Sequence, residues 1–248
     1  GFFERGRVRV YHGTSRKMFK LFWDYSYLLV IPPLILAFYA QAKVRGTYAK
    51  YSRISASSGV SGAQMAREIL GLGGAGHVPV EETPGQLSDH YDPLKSVLRL
   101  SAGVYESQSI AALGIAAHEA GHALQHHTGY APLHLRNGIY PVASFGSALA
   151  FPIFLIGFFM SQKGPSILMD VGIFLFSGAV LFSVLTLPVE FNASKRAMAL
   201  LGERGYLKGP ELDGARRVLS AAALTYVAST AMAAMQLGKH VYVEKPLT

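Results

Sequence analysis

Long stretches without a charged side chain constrain this chain of 248 residues more than any other feature. They occupy 25–42, the run between Arg136 and Lys163, the run between Asp170 and Glu190, and 218–238. About 20 apolar residues in a helix cross a bilayer, and only helices and closed barrels satisfy their backbone there. The pattern predicts a mainly α-helical, multi-pass membrane protein with spans at 23–42 and 218–238 and a helical hairpin over 137–189. The last run is the least hydrophobic; its Ala, Ser and Thr suit close packing against other helices. Composition agrees, since half the residues are hydrophobic and 15% are charged, against roughly 25% charged in an average soluble domain.

The flanks of these runs refine the picture. Trp23, Tyr25, Tyr27 and Tyr39 lie near the ends of the first, as interfacial aromatics do, and Pro32-Pro33 is expected to kink it. Asp24 and Asp170 read as helix starts, where a carboxylate suits the dipole. The break Ser161–Pro165 suits a turn between two spans. Residues 1–22 form a basic segment without an A-x-A-like cleavage site, so no removable signal peptide is read there; 239–248 form a tail. The net charge of +8 is scattered beside apolar segments, without the stripe or module of a nucleic-acid binder. Its use is orientation in a membrane.

Between the first two spans, residues 43–136 are mixed in character. Ser61 followed by Gln64 resembles a capping box, and Ala63, Ala66, Ile69 and Leu70 give a short amphipathic helix ended by Gly71–Gly76. Turns at Pro84-Gly85 and Asp92-Pro93 are followed by a strand expected at Ser96–Leu100, a short β element before the metal-site helix. That strand offers a place to hold substrate main chain to main chain. An apolar helix then leads from Ser109 into Ala117-His118-Glu119-Ala120-Gly121-His122-Ala123-Leu124-Gln125.

Positions four apart on a helix lie about 400° round and about 6 Å along the axis, so His118 and His122 share a face. Two imidazoles so spaced can hold one zinc ion, and Glu119 can reach a water in an open coordination position. Burying two histidines and a glutamate without partners is costly, which favours a metal. The chain has no cysteine, so any zinc is held by His and carboxylate. His126 continues the series, but three successive turns carry their ligands too far along the axis to converge. The longer metzincin pattern requires glycine at 125 and histidine at 128, where the chain has Gln125 and Thr128.

The third ligand must come from further on. Two spans return the chain to the side it left, where Pro188-Val189-Glu190 appears, and Glu190 beside an apolar helix is expensive unless paired or bound to a cation. The rival is Asp213 in Leu212-Asp213-Gly214, because site-2 proteases take a ligand from an L-D-G motif; here it follows a polar stretch. On the metal-bearing side, which holds the larger share of Lys and Arg, the cytoplasm is expected.

Three motifs in order carry a family resemblance: Leu87-Ser88-Asp89-His90-Tyr91-Asp92-Pro93, the helix ending H-E-A-G-H-A-L-Q, and Glu190-Phe191-Asn192-Ala193-Ser194-Lys195-Arg196-Ala197. Over about 60–235 the chain resembles the YugP-type membrane zinc metallopeptidases of bacteria. It is more distantly similar to HtpX and the CAAX prenyl proteases, which take their third ligand from an E-F-x-A-D-like motif. The resemblance implies a gluzincin-like site with Zn2+ held by His118, His122 and Glu190, and with Glu119 as general base. It departs at the motif's Asp, which is Ser194 here. The implied activity is hydrolysis of a peptide or protein substrate at the membrane. A zinc-binding scaffold without catalysis is the alternative from another class, and intact Glu119 argues against it, since ligands alone suffice for structure.

Overall fold

A computed structural model describes residues 28, 30–160 and 166–244. The basic segment 1–22, the beginning of the first expected span, the 161–165 turn and the last four residues lie outside the described residues. The chain is mainly helical. Among the described residues three helices are long and apolar enough to cross a membrane: α5 (Ala131–Met160), α6 (Ile167–Glu203) and, over Pro210–Val241, α7 (Pro210–Glu244). Apolar side chains on the first two face outward, with Val142, Phe145 and Phe174 each more than 70% exposed. A lipid-facing surface explains such exposure where water does not.

The first expected span is modified. Its described part belongs to α1 (Ile31–Tyr51), which runs on past 42 through Lys43, Arg45 and Lys50 and is not one of the three. Pro32-Pro33 does not kink it. Both prolines lie in the first turn, where a missing N–H has no intrahelical acceptor to lose and the fixed φ suits helix entry.

α2 (Gly62–Leu72) is capped by Ser61, whose hydroxyl accepts from the Gln64 N–H at 3.2 Å. It buries Met65, Ala66, Ile69 and Leu70. β1 (Val80–Thr83), β2 (His90–Asp92) and β3 (Val97–Ser101) follow, in spatial order β1-β3-β2. β1 is parallel to β3 and β2 antiparallel, with Tyr91 opposite Leu98. The expected strand therefore exists, but it is the central one, paired on both sides. Its hydrogen-bonding edges are taken, so it cannot receive a substrate strand; the outer edges belong to β1 and β2. Asp92 shapes the β2–β3 turn, accepting the N–H groups of Leu94 and Lys95 at 3.0 and 3.1 Å and pairing with Arg99 at 3.1 Å.

After the short α3 (Ala102–Tyr105), α4 (Ile110–His127) carries the two histidines. The hydroxyl of Ser109 caps it by accepting from the Ala112 N–H at 3.2 Å. α4 packs against α2, α6 and α7, and most of its residues are buried. Small residues make that possible. A Cβ added at Gly121 would stand 2.9 Å from the Ala193 carbonyl oxygen of α6, and one at Gly114 would stand 3.5 Å from Ala215 of α7. The α5–α6 hairpin uses the same device at Gly157 and Gly172, where an added Cβ would approach α6 and α5 to within 3 Å.

Gly121→Ala is therefore expected to push α6 off α4. Overpacking of this kind costs about 1–3 kcal/mol, and the displaced helix carries Glu190. The measurements are thermal stability in detergent and zinc content; an alanine variant equal to the wild type in both would show that the two backbones can part freely.

Candidate metal centre

His118 and His122 project from α4 toward α6, and Glu190 meets them. Their ligand atoms lie within 4.8 Å of one another. Glu190 Oε2 is 3.2 Å from His118 Nε2 and 3.4 Å from His122 Nε2, and the two imidazole nitrogens are 3.2 Å apart. A tetrahedral zinc with bonds of about 2.0–2.1 Å has edges of about 3.3–3.4 Å. The three donors thus stand at the corners of one face of such a tetrahedron, and the set fits zinc by both chemistry and spacing.

The hydrogen bonds behind the donors sharpen this fit. Gln125 is fully buried. Its Nε2 donates to the Val189 carbonyl at 2.8 Å and to Asn192 Oδ1 at 2.9 Å, so its Oε1 faces His122 Nδ1, 3.0 Å away. An amide oxygen only accepts. His122 Nδ1 therefore carries the proton, and a neutral ring presents the bare Nε2 lone pair to Glu190. Asn192 Oδ1 is shared with Arg196 Nε at 2.9 Å. Ser194 Oγ stands 3.1 Å from His118 Nδ1 and can play the same part there. Burial disfavours the charged form of His122, but the bonded Glu190 carboxylate and the nearby Glu119 outweigh it and hold its pKa above the ordinary value. A cluster of converging lone pairs calls for a cation, whether proton or metal.

Glu119 does not join the cluster. Its Oε2 accepts the Tyr91 N–H at 3.1 Å, and that N–H points away from β3, so the outer edge of β2 faces the base. Two cavities meet at Glu119 and Tyr226. One, of about 160 Å³, is lined by His122, Glu190, Tyr91, Asp89 and Arg136. The other, of about 180 Å³, runs from His118 to α1 and α7.

The helix that carries Glu190 does not end there. α6 runs unbroken through Pro188 to Glu203, so residues 190–203 continue the helix. The proline removes one donor, and packing against α4 and α7 holds the turns on either side. His126 stands away from the centre, with its Nδ1 2.7 Å from the Tyr91 hydroxyl. Asp213 lies on the surface in the first turn of α7, paired with Arg216 at 3.3 Å. Gly214 of the same tripeptide is a packing residue; an added Cβ would meet the Tyr51 ring at 2.7 Å.

A mainly helical chain with membrane-spanning candidates and a His₂Glu cluster defines a class, and the comparisons agree with it. The chain belongs to the family described as "Putative neutral zinc metallopeptidase", whose profile matches residues 26–245. It is 47% identical over 215 residues to the "Putative membrane protease YugP" of Bacillus subtilis (strain 168), covering 87% of this chain and 94% of that one. No solved structure matches it.

Sequence reading missed Gln125 and Tyr226 as parts of the site and marked Ser194 only as the motif's missing Asp, without a role. Gln125 follows His122 by three and Ser194 follows Glu190 by four, so each shares a helix face with a ligand, and that spacing was available. No comparable signal announced Tyr226.

Glu190→Ala is expected to lower zinc affinity sharply, and Gln125→Leu by about 10–100-fold, the usual cost of losing a partner behind a ligand. Asp213→Ala should bind like the wild type. Zinc content after dialysis reads all three; loss of metal in the Asp213 variant with Glu190→Ala still loaded would reverse the ligand assignment.

Proposed function

We propose that the protein is a membrane-embedded zinc endopeptidase of gluzincin type, with His118, His122 and Glu190 as ligands and Glu119 as general base. The observation that carries this is the three-donor face at tetrahedral spacing with a separate carboxylate beside it. Zinc held there supplies Lewis acidity, lowering the pKa of water and polarising a carbonyl.

The chain's own residues do the rest. Glu119 removes the proton from the attacking water as the new C–O bond forms, and returns it to the amine nitrogen as the C–N bond breaks. The Tyr91 N–H holds one oxygen of Glu119 and so fixes the carboxylate's direction. Tyr226 and Arg136 line the cavity beside Glu119 and Glu190 and can donate to the carbonyl oxygen as negative charge develops on it. Arg136 Nε is buried and makes no hydrogen bond among the described residues, and its guanidinium lies over the Phe182 ring.

Glu119→Gln should retain zinc, since Glu119 is not a ligand, and reduce turnover by at least the ~10²–10⁴-fold that general acid–base catalysis supplies. Cleavage at the wild-type rate would remove the assigned mechanism. Zinc binding with no cleavage of a broad peptide library by the wild type would favour the scaffold alternative.

The larger share of Lys and Arg beside the metal site supports a cytoplasmic position for it in a multi-pass protein. The chain lacks cysteine, so Lys50→Cys and Lys163→Cys report without background. In intact cells an impermeant thiol reagent should label position 163 and spare position 50; the opposite pattern reverses the orientation.

A further inference from the structure

The cavity of about 180 Å³ beside the metal centre has a wall unlike the rest of the site. Val44 comes from α1, Ile115 from α4, Val218 and Ala222 from α7, and Leu87 from the loop before β2. The rings of Tyr48 and Tyr226 and the side chain of Leu219 add to it, Asp89 also lines it, and it opens on His118 and Glu119. An apolar hollow at a polar reaction centre is costly to keep wet and serves to bury an apolar group.

Leu87 supplies a second, independent observation. It adopts φ 53°, a left-handed conformation that ordinary side chains rarely take, and it lines the cavity from the loop while remaining partly exposed. Strained positions of this kind gather where a ligand is gripped. The carboxylates nearby are already engaged: Asp89 accepts from the Ser101 N–H at 2.7 Å and its hydroxyl at 3.0 Å, and Glu119 accepts from Tyr91. They repel an anionic guest and have partners already, so a cationic one gains little.

We infer that this cavity is the specificity pocket of the site, receiving a large aliphatic or aromatic side chain from a residue flanking the scissile bond. This rests on the peptidase reading of the same centre. With α1 and α7 as its walls, the pocket suits the apolar residues of a substrate's membrane or membrane-proximal segment. Leu87 and Ala222 set its size.

The probes are amino-acid hydroxamates, which chelate zinc and differ only in the adjacent side chain: Ala, Leu, Phe, Lys and Glu. Calorimetry on the zinc-loaded protein should show Leu and Phe binding at least about tenfold tighter than Ala, as hydrophobic pockets discriminate. Ala222→Phe fills the pocket and should abolish that advantage. Leu87→Gly should reduce it without endangering the fold, because glycine accepts the positive φ. Equal affinity across the series, no binding at all, a preference for Lys or Glu, or an advantage unchanged in both variants would overturn the assignment. Peptide hydrolysis measured in parallel separates the two readings: a protein that ranks the hydroxamates yet cleaves nothing keeps the pocket and loses the peptidase.

Discussion

Three donor atoms held 3.2–3.4 Å apart in a mostly buried place are the constraint on which the rest depends. Two lone pairs and a carboxylate repel one another, and burial strengthens that repulsion by removing water's screening. Something must hold α4 and α6 together against it. Gly121 lets the backbones approach where a side chain would strike the Ala193 carbonyl. Gln125 then ties the helices through two hydrogen bonds to the turn that carries Glu190. The same amide fixes the tautomer of His122, so one residue sets both the distance between helices and the chemistry of a ligand.

The apolar hairpin has a structural role in this centre. Glu190 can only approach α4 if the chain leaves it and comes back, which α5 and α6 accomplish with glycine contacts that draw the two helices together. A long straight helix delivers a side chain more reproducibly than a loop, since packing along its length fixes its rotation. That α6 continues past Pro188 matters for the same reason. Ser194, one turn beyond Glu190, reaches His118 Nδ1 only because the helix has not bent.

Much of this was legible in the residues. The spacing of His118 and His122 reported a shared helix face, and the uncharged runs on either side of Lys163 reported a hairpin that returns Glu190 to it. Residues whose meaning depends on packing were not legible. Pro32-Pro33 looks like a kink and is a helix start; Pro188 lacks the helical N–H donor, yet the helix runs on through it. In each case the local rule holds, but position in the helix and packing decide its consequence. Ser96–Leu100 reads correctly as a strand, yet nothing in its own residues says whether it has one neighbour or two.

The division of the site follows from which elements meet there. β2 and α4 bring the polar parts: a backbone N–H for Glu119 and the imidazoles. α1 and α7 bring an apolar wall, because their residues also face the helical bundle. Under the proposed function, the junction of these two surfaces would give a polar side for proton transfer and an apolar side for a hydrocarbon side chain. Asp89, Glu119 and Tyr226 border both cavities, so the polar and the apolar surfaces adjoin at these residues. Replacing Ser194 with the Asp of the E-F-x-A-D motif would add charge behind His118 without touching either cavity. The residue behind His118 and the residues lining the apolar cavity thus belong to separate elements.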